Sequence, residues 1–289
     1  MISQSVLGML FLFPLKNAAV KPPQEENVCG RKEEYMILKR TETGSLKKGL
    51  VTLIGLLCVL AFAVFPSGCG PVSMKETQEN EAAQPEAERP ELVLENFLTE
   101  EGYLDLAGLQ TLNEECYAWI AIEGTNMSFP LLQPSEDLAW YLSHNFWGED
   151  DDNGCIYTEY YNNTDFQDPN TVIYGRNTES RFGMLHQYQD RSFFDEHREI
   201  KIYLTDRVLT YEIFAAYTYD DRHLIMTYDF WDANVFSGYL SDVFSQRQMD
   251  AFIDDTVEVG VDDRIITLST GVTGQSEKRY LVQAVLVSE

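Results

Sequence analysis

Residues 264–287 read RIITLSTGVTGQSEKRYLVQAVLV. Two runs rich in Ile, Val, Leu, Thr and Tyr flank a polar stretch that holds Gly271 and Gly274. Residues 264–270 and 279–287 therefore read as two strands, the last of the chain. The pattern recurs upstream. Residues 116–123 and 128–133 read as strands that flank the turn Gly124-Thr125-Asn126. Residues 154–159 and 171–175 are strand-like, and 198–205 with 208–219 form a hairpin around Asp206-Arg207. Short helices are expected at 92–98, 105–115 and 137–142. Residues 181–197 read as a helix with Phe182, Leu185, Tyr188 and Phe193 near one face. Residues 234–257 read as a long amphipathic helical region carrying Phe236, Leu240, Phe244, Met249 and Phe252. Many short strands and few helices predict a mostly β fold. Its expected form is a closed barrel with N-terminal helices and a long helical insertion before the last two strands.

Hydrophobic residues make up 44% of the 289, ample for a packed core, and the formal charge is −26. That charge is uneven. Residues 1–48 carry eight Lys/Arg against five acids, which leaves −29 from Gly49 onward. So acidic a body repels phosphate backbones, which argues against a nucleic-acid partner. Five cysteines show no C-x-x-C spacing, and four histidines show no H-x-x-x-H. No metal or other cofactor is expected. Cys116 and Cys155 read as small buried side chains, with a disulfide between them left open by spacing alone.

The N-terminal third reads as an address. Residues 1–48 form a basic leader, of which 1–35 precede a second candidate start at Met36. Residues 49–65, GLVTLIGLLCVLAFAVF, hold 17 uncharged residues directly after Lys47-Lys48. Two readings stay open. The stretch is a spanning anchor, or it is the apolar part of a signal peptide ending at Ser67-Gly68-Cys69, with Cys69 as the lipidation site. Either tethers the rest to the extracytoplasmic face of a cell membrane. Residues 66–90 are Glu-rich without apolar periodicity and read as a flexible acidic linker. The folded domain is expected over 91–289.

Several segments of that domain, in order, resemble the class B sortases, the cysteine transpeptidases of the outer face of Gram-positive bacteria. They are Trp119-Ile120-x-Ile122-x-Gly124-Thr125 with Phe129-Pro130, and Asn170-Thr171-Val172-Ile173-Tyr174-Gly175-x-Asn177. Then come Phe182-Gly183-x-Leu185, Phe193-Phe194-Asp195-x-His197, and Tyr211-Glu212-Ile213-Phe214-Ala215-Ala216-Tyr217. Ile265-Ile266-Thr267-Leu268-Ser269-Thr270 and Arg279-Tyr280-Leu281-Val282 complete the set. The resemblance spans about Asn113 to Val287, and it implies a Cys nucleophile, a His proton shuttle and an Arg that steadies the oxyanion or the substrate. The family pattern Tyr-Gly-His-Asn has Arg176 at its third position here, and Leu-Ser-Thr-Cys has Gly271 at its fourth. Only the Arg remains, as Arg279.

Glycine offers no nucleophile, and a guanidinium stays protonated at any accessible pH. Losing a nucleophile or its base typically costs ~10⁴–10⁶-fold in turnover. The expectation is a pseudoenzyme that binds or scaffolds a sorting-signal peptide or a partner, including an active sortase. The alternative is an active sortase-like hydrolase with an unrecognised nucleophile. Ser269, Thr270, Thr273 and Cys155 are the residues to weigh. None has an evident base, and His186 is expected to face elsewhere. Arg176 and Arg279 would share one groove, where they either take a carboxylate or pair with neighbouring acids.

Overall fold

The computed structural model describes residues 89–289. The leader over 1–48, its stretch 1–35, the apolar segment 49–65, Cys69 and most of the 66–90 linker lie outside them. Among the described residues no helix is long and apolar enough to cross a membrane. The linker's last residues are described, and Arg89 is already engaged. Its guanidinium pairs with Glu149 at 2.7 Å and sits 5.3 Å from the Trp147 ring centre.

Nine strands form one sheet. They are β1 (Cys116–Ile122), β2 (Ser128–Leu132), β3 (Ile156–Thr158), β4 (Asn170–Tyr174), β5 (Glu199–Tyr203), β6 (Val208–Asp220), β7 (Phe252–Ile253), β8 (Ile265–Val272) and β9 (Gln275–Ser288). Their order is β5-β1-β2-β3-β4-β8-β9-β6-β7, and β5 also pairs with β6. That last pairing closes eight strands into a barrel, with β7 added outside the ring on β6. Closure removes the free edges that an open sheet would leave. Two neighbours run parallel, β2 with β3 and β4 with β8; the other pairings are antiparallel.

The barrel interior is apolar, built from Ile120, Leu131, Ile173, Ile202, Ile213, Leu268 and Val282 among others. A second cluster lies on β1 to β3 beneath the N-terminal segments, where Leu94, Phe97, Leu104 and Leu109 cover Trp119, Leu132 and Tyr157. Strand β1 is thus covered on both faces, which is why it reads as nearly continuous buried residues rather than a clean alternation. Its Trp119 is fully buried, stacks on Phe97 and donates its indole N–H to the Ser128 hydroxyl at 2.8 Å.

The helices are shorter than the sequence predicts. The N-terminal pair shrinks to a 3-10 turn, Leu94–Phe97, and to α1 (Leu106–Gln110), which Asp105 caps by accepting from Gly108 N. The third is a 3-10 turn at Trp140–Leu142. Residues 181–197 are not one helix. A 3-10 segment, Phe182–Gln189, ends at Asp190, which then caps α2 (Arg191–Glu196). Its buried residues Phe182, Leu185 and Tyr188 recur every third position, the period of a 3-10 helix. The insertion also divides. After the four-residue α3 (Leu224–Thr227), α4 (Ala233–Phe244) buries Phe236, Tyr239, Leu240 and Val243 at helical spacing, capped by Asp232. The helix stops there: Met249 is fully exposed, and Phe252 belongs to β7, opposite Ala216.

Candidate functional site

Strands β4, β8 and β9 lie side by side, so their C-terminal or N-terminal ends bring three distant stretches together. On β8, Gly271 lies opposite Arg279 of β9. On β4, Tyr174 lies beside Ser269, and the chain continues into Gly175, Arg176 and Asn177. The Gly175 N–H bonds the Ser269 carbonyl at 3.1 Å, and Asn177 donates to the Thr273 hydroxyl at 3.1 Å. These bonds hold the residue 175–177 loop against the end of β8. A cavity of about 420 Å³ opens there, and Arg176, Gly271 and Arg279 all line it. Tyr157, Tyr174 and Leu281 supply apolar wall, and Leu224 closes the cavity from the insertion.

The two glycines of this site differ. A Cβ on Gly271 would meet only Asn177 Cβ at 3.8 Å, an ordinary contact. A Cβ on Gly175 would stand 2.5 Å from Ile156 Cδ1 and 2.7 Å from Phe182 Cγ. Position 175 therefore needs glycine for space, whereas position 271 has room for a side chain that it lacks.

Neither Arg176 nor Arg279 makes an ion pair among the described residues, so the expectation that neighbouring acids neutralise them is not met. Arg176 is exposed, and Arg279 is half-buried with one nitrogen, Nη1, donating to the carbonyls of Ser276 and Lys278. Burial pushes the Tyr174 hydroxyl well above its ordinary range, with the Glu159 charge adding to the effect and the Arg279 charge opposing it.

The residues weighed as substitute catalysts are now placed. Thr270 donates its hydroxyl to the Gly175 carbonyl at 2.9 Å, and Thr273 accepts from Asn177. Ser269 lines the cavity, two residues from Gly271 on the same side of the strand. Cys116 and Cys155 are both free and buried, and desolvation pushes each thiol up to about 12. A thiol held so fully protonated is a poor nucleophile.

His186 is the correction here. It does not face away: its Nε2 lies 3.0 Å from the carbonyl oxygen of Gly271, and its ring packs 5.0 Å from that of Tyr280. Phe182, Leu185 and Tyr188 bury the 3-10 segment Phe182–Gln189, and His186, beside that stripe, reaches the end of β8. Since a carbonyl only accepts, Nε2 carries the proton and offers no basic lone pair towards position 271.

Sequence reasoning missed one pair. His223 Nε2 lies 2.6 Å from Glu159 Oε2, and both residues line the cavity. His223 Nδ1 accepts from Met226 N at 3.3 Å, capping α3. Nδ1 accepts, so Nε2 donates to the carboxylate, and both nitrogens are committed to structure. No local pattern links positions 159 and 223; only the barrel and the insertion bring them together.

No family model matches the chain. It is 36% identical over 190 residues to sortase B of Listeria monocytogenes, which covers 64% of this chain and 75% of that protein. A solved sortase B from Clostridium perfringens superposes with a TM-score of 0.57 at 28% identity, covering 63% of this chain and all of that one. A Staphylococcus aureus sortase B–substrate complex gives 0.55 at 26% identity, covering 63% of this chain and 84% of that one. The closed barrel and these likenesses define a sortase-type protein. Within that type, the chain belongs to the class B sortase family.

Proposed function

We propose that this protein is a membrane-tethered, extracytoplasmic sortase B-like module that binds a sorting-signal peptide, or a partner presenting one, and does not cleave it. One observation carries the reading: Gly271 and Arg176 line the groove at the positions where the family resemblance expects the thiol and the imidazole. A covalent acyl intermediate needs a side-chain nucleophile, and glycine has none. Proton transfer needs a base near neutral pH, and guanidinium is not one. The reading that another residue restores catalysis has less support. His186 donates through the nitrogen nearest position 271, His223 is held at both nitrogens, and neither hydrogen-bonds Ser269.

Peptide binding is supported by kinship and by shape. The Staphylococcus aureus sortase B relative has been solved with a substrate, and the present groove keeps an open cavity with apolar walls and two cationic groups. Tethering rests on residues 49–69, which hold the domain outside the membrane as a spanning anchor or through a lipid on Cys69. The test is equilibrium binding of fluorescent sorting-signal peptides to the full chain in detergent micelles, with the peptide recovered and weighed by mass spectrometry. Saturable binding with intact peptide is expected. Absence of binding across the panel, or recovery of cleaved peptide, contradicts the reading.

A further inference from the structure

The geometry points to a more specific ligand: a peptide that ends in a free α-carboxylate, bound with that carboxylate between Arg176 and Arg279. This deepens the peptide-binding reading above and rests on it.

Three observations converge. The first is charge. Six of the ten described arginines pair with a carboxylate, in a chain with 47 acids and 21 bases. Arg176 and Arg279, which meet at one cavity, do not. The acids on that cavity do not neutralise them: Glu159 is taken by His223, and Asp221 bonds neither arginine. An internal peptide carbonyl is a neutral acceptor and would leave two guanidiniums facing little charge. A carboxylate offers two oxygens and one full negative charge, the match for guanidinium forks.

The second is space. The missing side chain at Gly271 leaves a gap directly across the strand pair from Arg279 and beside the loop that carries Arg176. A terminal carboxylate has an oxygen where an internal residue has a backbone nitrogen and further chain. An added Cβ at Gly271 meets nothing nearer than Asn177 Cβ at 3.8 Å, so the strand end beside Arg279 is open on this side to an incoming group.

The third is the wall. Leu142, Tyr157, Leu224 and Leu281 line the same cavity and suit the last side chains of a peptide rather than a bare inorganic anion. The Tyr174 hydroxyl, buried in that wall, lacks a hydrogen-bond partner among the described residues.

The test uses the full chain in detergent micelles and three pools of N-terminally labelled peptides. Each pool has randomised residues followed by Thr: one ends there as a free carboxylate, one as an amide, one continues with Gly-Gly-amide. Fluorescence anisotropy should show the carboxylate pool binding at least ~10-fold more tightly than either other pool. Arg176→Gln, an exposed change, should remove most of that preference, and Arg176→Lys should restore only part of it, because ammonium keeps the charge but not the fork. Equal binding of all three pools, unchanged by Arg176→Gln, overturns the carboxylate assignment and leaves peptide binding standing. Absence of binding by every pool overturns both.

Discussion

Gly271 and Gly175 sit within one site and carry opposite meanings. Gly175 is required by packing, because Ile156 and Phe182 occupy the volume a side chain would need. Gly271 is not required by packing, nor by a left-handed backbone, since its φ is not positive. Substituting Ala separates the two. Gly175→Ala should cost about 1–3 kcal/mol through overpacking. Gly271→Ala should leave stability within about 1 kcal/mol of the natural protein, on the stabilising side, because the unfolded chain loses freedom. Urea denaturation of the two variants checks this; a comparable loss from Gly271→Ala would mean that the gap is structural. At this scale the sequence was informative where chemistry is carried by identity alone: Gly271, Arg176 and Arg279 are read directly. It misplaced His186 and was silent on His223 and Glu159, whose contacts reach partners 64 to 85 positions away.

Strands were more legible than helices. The strand runs of the barrel are dense in β-branched and aromatic residues, and their boundaries fall within a few positions of those expected. The helices were overextended because apolar spacing continues past the point where the chain turns. Phe182, Leu185 and Tyr188 fit a period of three, which a reading tuned to 3.6 merges into an α-helix. Phe252 completes a helical pattern in sequence but pairs in β7. The insertion is nonetheless firmly attached. Tyr239 of α4 accepts from Gln283 Nε2 at 2.6 Å, and Gln283 also donates to Thr267 and accepts from Tyr217. Thr267 in turn donates to Asn170. This buried chain ties β6, β8, β9, β4 and α4 together. Gln283→Leu would leave several of these groups without partners and should destabilise by about 1–3 kcal/mol, read as a lower urea midpoint. An unchanged midpoint would show that water or repacking replaces the network.

Across the whole molecule, closure of the barrel through β5 and β6 explains why the site exists at all. It fixes β4, β8 and β9 as neighbours although about 90 residues separate β4 from β8, and the site grows from their ends. That closure was inferred from the number of short strands and from family resemblance; no local signal specifies which strands meet. The same scaffold keeps its groove while two positions that would perform the chemistry hold Gly271 and Arg176. We propose that this groove still binds peptide although position 271 offers no nucleophile. The most direct measurement is turnover of a labelled peptide spanning a Thr–Gly bond, compared between the natural chain and the Gly271→Cys, Arg176→His double variant. No cleavage or transfer is expected from the natural chain, and cleavage is expected from the double variant, whose new thiol has open space beside Asn177. Cleavage or transfer by the natural chain would contradict this reading, and would direct the search for a nucleophile to Ser269.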